Sequence, residues 1–134
     1  MNKFDIGRLL RLKSSIAAAA SGGKVEPADA PSLTGGYLRM RAQVAELVSG
    51  GELEAEFEAM FSEISEFEGG SGPGPRGDLI AWHTKATTAG IDAKRLLEQL
   101  SGWIEGLIEE QTLSERIQAE AAEKVKREKG FESV

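Results

Sequence analysis

An all-α fold, a four-helix bundle-like protomer with a long C-terminal helix, is predicted by three features of the sequence. Apolar residues recur at spacings of three and four along most of the chain, as in helices that bury one stripe. Glycine- and proline-containing stretches at 21–32 and 69–77 divide the striped segments and act as linkers. The last striped segment, 92–129, contains no proline at all. The 134 residues of the chain form one domain, long enough for a modest core.

The first helix is expected near 3–20, where Ile6, Leu9, Leu10, Ile16 and Ala20 share a face. Ser21-Gly22-Gly23 stops it, and Pro27 and Pro31 keep the connection open. Ser32 is placed to cap a second helix at 33–49, carrying Tyr37, Met40, Val44, Leu47 and Val48 and ending at Gly50-Gly51. A third helix, 52–68, sets Leu53, Phe57, Phe61, Ile64 and Phe67 on one stripe against an acidic face that lacks Lys and Arg. Its early glutamates suit the helix dipole and its later ones oppose it. A solvated face explains them without a ligand.

Beyond the linker at 69–77, Asp78 caps a short helix over 78–89, weakened by Thr84, Thr87, Thr88 and Gly90. Asp92 then opens the dominant helix, 92–129, about 55 Å long at 1.5 Å per residue. Its stripe is dense through Leu96, Leu97, Leu100, Trp103, Ile104 and Leu107, and thins to Leu113, Ile117 and Ala121. Lys124, Lys126, Arg127 and Lys129 complement the C-terminal end of the dipole.

Composition excludes several functions. The net charge of −6 opposes generic binding to nucleic-acid phosphates. The absence of cysteine removes disulfides, thiolate metal sites and a cysteine nucleophile. No apolar run approaches the roughly 20 residues of a membrane span, and Asp5, Arg8, Arg11 and Lys13 interrupt any signal-peptide core. The chain reads as cytoplasmic.

No catalytic constellation emerges, so the protein reads as a non-enzyme without cofactor or metal. His83 is the only histidine, and Ile80 stands where a Glu-x-x-His metal pair needs its glutamate. Ser101, His83 and Asp92 make a nominal triad of a kind many chains offer. The glycines of 69–77 lack the Gly-Lys-Ser/Thr ending and preceding strand of a phosphate loop. Glu105 with Glu109, and Glu54 with Glu58, are one turn apart, too few oxygens for a cation site.

The informative block is Leu100-Ser101-Gly102-Trp103-Ile104-Glu105-Gly106-Leu107. Each mid-helix glycine costs about 1 kcal/mol relative to alanine, and two on one face beside an indole point to close helix packing. Leu100, Gly102, Trp103, Gly106 and Leu107 therefore line either a helix contact within the bundle or an interface between subunits.

This block resembles the signature of the ATP-independent bacterial proteasome activators of actinobacteria, in the last, long helix of that family. Phe4-Asp5-Ile6-Gly7 is similar to the opening of the family's first helix, and Pro27 through Phe61 matches its middle in order and character. Residues 78–91 stand as an extra segment. The resemblance implies a four-helix protomer in a homo-oligomer, a dodecameric ring, that docks on the 20S proteasome and admits unfolded proteins without ATP. The family docks through a Gly-Gln-Tyr-Leu-like end. Here the corresponding residues are Phe131 and the carboxylate of Val134, with no penultimate tyrosine. The competing expectation is a small bacterial or phage structural or adaptor protein that oligomerises through the same helix.

Overall fold

The computed structural model describes residues 4–67 and 78–132, with side chains through 124. Helices α1 (Ile6–Ala20), α2 (Ala30–Val48), α3 (Glu54–Met60) and α4 (Leu79–Glu132) account for the architecture, with a 3-10 turn at Pro27–Asp29. The described residues contain no strand, and the fold is all-α with a long C-terminal helix. Helices α1, α2 and α4 pack against one another, and α3 packs beside α2. Leu9, Ile16, Tyr37, Val44, Leu97 and Ile104 sit at the centre of the core, fully buried.

Local chemistry sets the first two helices. The Asp5 carboxylate accepts the Gly7 N–H at 2.9 Å, so α1 begins at Ile6 rather than at 3. At its other end Ser21 bonds back to the Ala18 carbonyl, and Gly22 takes a φ of 125° that disfavours a side chain. Lys94 of α4 then donates to the carbonyls of both Gly22 and Gly23 at 2.9 Å. Helix α2 starts at Ala30, three residues before the expected 33. Pro31 lies in its first turn, where a missing N–H costs nothing, so Ser32 is an exposed helical residue and not the cap.

The third helix is shorter than the expected 52–68. After Met60 the chain leaves the helix and runs as an irregular strap over 61–67, back along α2. Tertiary partners take the backbone groups that a longer helix would use. Arg41 Nε donates to the Phe61 carbonyl at 2.6 Å, the Tyr37 hydroxyl to the Ser62 carbonyl at 2.8 Å, and Phe67 N–H to Thr34 Oγ1 at 2.9 Å. Glu63 and Glu66 also avoid the negative end of a helix dipole.

The expected helices 78–89 and 92–129 are one 54-residue helix, about 80 Å long. Asp78, not Asp92, caps it, accepting the N–H groups of Ile80 and Ala81. Gly90 does not break the helix because it lets α4 pass close to the turn before α2. A β-carbon there would lie 2.7 Å from Val25 Cγ1. Packing thus outweighs a local propensity cost of about 1 kcal/mol. The linker expected at 69–77 lies outside the described residues.

Candidate association surface on the long helix

The bundle covers only the middle of α4. Among the described side chains Ala86 is its first buried residue and Gln111 its last, a stretch of roughly 40 Å. Gln111 closes the end of the core. Its Oε1 accepts the Phe4 N–H at 3.4 Å and its Nε2 donates to Glu115 at 3.3 Å. From Thr112 through Lys124 every residue except half-buried Ser114 is exposed.

The buried seam, Ala86, Ala93, Leu97, Leu100, Ile104 and Leu107, faces α1 and α2. Leu100 and Leu107 are therefore ordinary core residues. Trp103 is half-buried at the edge of the seam, its ring centroid 5.7 Å from that of Phe57 and 5.9 Å from that of Phe61. The indole holds α3 and the strap onto α4.

Gly102 and Gly106 are not part of that packing. Among the described residues a β-carbon at either would meet nothing within 4 Å, so no described helix of this protomer lies across them. At 100° per residue, both lie about 160–200° around α4 from Ile104, opposite the seam. Ile91, Leu113 and Ile117 fall on the same outward face, and are 49%, 55% and 56% exposed. In the sequence the glycines flank Trp103, but the helical wheel separates them from it by about 60–100°. The block is thus split: Leu100, Trp103 and Leu107 pack inside, and Gly102 and Gly106 face out.

A second cluster, unseen in the sequence, fixes one flank of the protomer. Arg41 is 7% exposed, yet it lies in the apolar stripe of α2. Besides the Phe61 carbonyl, it bonds Glu58 at 2.7 Å, approaches Glu63 at 3.5 Å, and stacks 5.2 Å from the centroid of the Phe57 ring. Such a planar, multiply bonded guanidinium cannot be replaced by lysine. Burial pushes the neighbouring Tyr37 hydroxyl above its ordinary pKa. Arg41 opposes that rise and Glu58 adds to it.

The remaining polar candidates are accounted for singly. His83 is exposed, Asp92 pairs with Arg95 at 3.3 Å, and Ser101 lies two and a half turns further along the same helix. Successive members of that nominal triad are therefore about 13 Å apart along the axis. Glu105 pairs with Lys13, Glu58 with Arg41, and Glu54 accepts the Gly50 N–H. Among the described residues no group of three His, Asp or Glu side chains is placed to hold a metal. No described helix is long and apolar enough to cross a membrane. Backbone helix reaches Glu132, but the side chain of Phe131, and Val134 entirely, lie outside the described part. No protein family, curated protein or solved structure matches this chain.

Proposed function

We propose that this chain is a cytoplasmic, non-enzymatic subunit of a homo-oligomeric ring that delivers unfolded proteins to a degradation machine, in the manner of the ATP-independent proteasome activators. The observation that carries the reading is α4. Among the described residues it is buried only between Ala86 and Gln111, and its outward face bears two open glycines and the exposed Leu113 and Ile117. A solvated overhang with a narrow apolar stripe gains little stability alone and much by packing against other helices. Other copies of the chain supply those helices, and the glycines permit close approach. Exposed apolar residues at the opposite end of α4, Leu79 and Ile80, are available to client segments. The resemblance of 100–107 to the activator signature directs the proposal toward the 20S proteasome.

The test is the solution mass by light scattering coupled to size exclusion, over a range of concentrations, followed by peptidase stimulation of a cognate 20S proteasome. A particle of about twelve subunits that stimulates turnover without ATP is the expected result. A monomer at every concentration refutes the ring. An assembled particle that leaves the proteasome untouched supports the structural-scaffold reading instead.

A further inference from the structure

The two flanks of this protomer carry opposite charge. Helix α2 is the divider. On one side Gly36 faces the Ala19 β-carbon, and Gln43 and Glu46 share a groove of about 380 Å³ with Arg8, Arg11, Leu12 and Ser15 of α1. On the other side Arg41, Tyr37 and Thr34 hold α3 and the strap. The α1 edge of that groove is basic, with Arg8, Arg11 and Lys13 and no acidic residue in the helix, while the α2 edge contributes Glu46. The α3 flank is acidic, with glutamates at 52, 54, 56, 58, 63 and 66 and no basic residue between them.

The charges within each flank are only partly satisfied. Lys13 is paired with Glu105, whereas Arg8 and Arg11 have no ion pair among the described residues. Glu58 and Glu63 are tied to Arg41, whereas Glu56 has none. Ala55 and Ala59 lie opposite Phe57 on α3, so its outward ridge is small and flanked by carboxylates. A small ridge with acidic edges suits an open groove whose α1 edge carries Arg8 and Arg11, with Glu46 as the one acidic residue on the opposite edge.

We infer that copies of this chain join head to tail, the α1–α2 groove of one copy receiving the α3 ridge of the next. A contact between two different patches is heterologous, and it closes into a ring only if the rotation between copies allows. The two patches stand at equal height on α2, which limits the rise from one copy to the next along that helix. Arg41 bonds Glu58 of α3, and the groove lies beside Gln43 and Glu46, so both patches are at one level of α2. That level is also the end of the bundle from which α4 projects, since Phe4 meets Gln111 there. Neighbouring overhangs then stand side by side just beyond the junction. This inference rests on the proposed self-assembly and adds its direction and chemistry.

The test uses full-length R8E/R11E and E54K/E56K, prepared separately and then mixed in equal amounts, with mass read by light scattering. Each variant alone presents like charges at the junction and is expected to assemble at least tenfold more weakly than wild type. The mixture restores assembly, because in strict alternation each reversed flank meets the other. Wild-type assembly is also expected to weaken roughly tenfold at about 1 M salt, where the screening length falls to about 3 Å. A variant that loses helical circular dichroism is replaced by R8Q/R11Q or E54Q/E56Q, which must weaken assembly to about the same extent as salt. Wild-type assembly with variants that assemble equally well overturns this inference alone, as does a mixture that stays dissociated while each variant remains folded. A wild-type chain that is monomeric at every concentration overturns the self-assembly reading as well.

Discussion

Replacing Gly102 and Gly106 by alanine separates the stability of the protomer from its association. Neither added methyl meets an atom of the described residues within 4 Å, so these add no steric cost. The gain is conformational: alanine favours a helix interior over glycine by about 1 kcal/mol per site, or roughly 2 kcal/mol for the pair. At about 4 °C per kcal/mol for a domain of this size, the pair is expected to raise the melting temperature by roughly 8 °C. The measurement is thermal unfolding by circular dichroism at a dilution where scattering reports monomer. At concentrations where wild type assembles, the same variant is expected to yield smaller particles, because each methyl holds the approaching helix away. Gly90→Ala is the internal contrast. There the new carbon sits 2.7 Å from Val25 Cγ1, beside Leu33 and Ala30, and overpacking of about 1–3 kcal/mol offsets or exceeds the propensity gain. A lower melting temperature for the outward pair would show that the face is covered within the protomer. A stabilised pair with unchanged particle mass would remove the glycines from the interface.

Trp103→Ala deletes the ring against which Phe57 and Phe61 stack and is expected to cost about 3 kcal/mol in urea unfolding, with α3 losing hydrogen-exchange protection first. Arg41→Met keeps much of the aliphatic volume but leaves the Phe61 carbonyl and Glu58 without their donor. A loss of about 2 kcal/mol is expected, with faster proteolysis within 61–67 and no rescue by Arg41→Lys. Tyr37 is the only tyrosine, so its ionisation can be followed by absorbance above the indole band. Its folded pKa lies above the unfolded value of about 10, so its contribution is complete below that pH and is lost as pH rises through the folded value. Stability is therefore expected to fall in the alkaline range above pH about 10, less so in Tyr37→Phe. A tyrosine that titrates at its ordinary value in the folded protein would contradict the burial.

The sequence by itself determined the helical class and the presence of a long last helix. These features are local or periodic: a 3.6-residue apolar repeat and glycine pairs that end helices are written in neighbouring residues. Tertiary structure decided three matters that neighbouring residues do not encode. It continued α4 through Gly90, because the glycine fits against Val25, a partner 65 positions away in the chain. It ended α3 at Met60, because Arg41, Tyr37 and Thr34 of another helix take up the polar backbone groups of 61–67. It also turned Gly102 and Gly106 to the outside while Trp103 went in. One residue of helix rotation is 100°, and which side of the wheel is covered depends on where α1, α2 and α3 lie. A stripe in a sequence shows which residues seek cover, and only packing shows which of them the protomer has left for another chain.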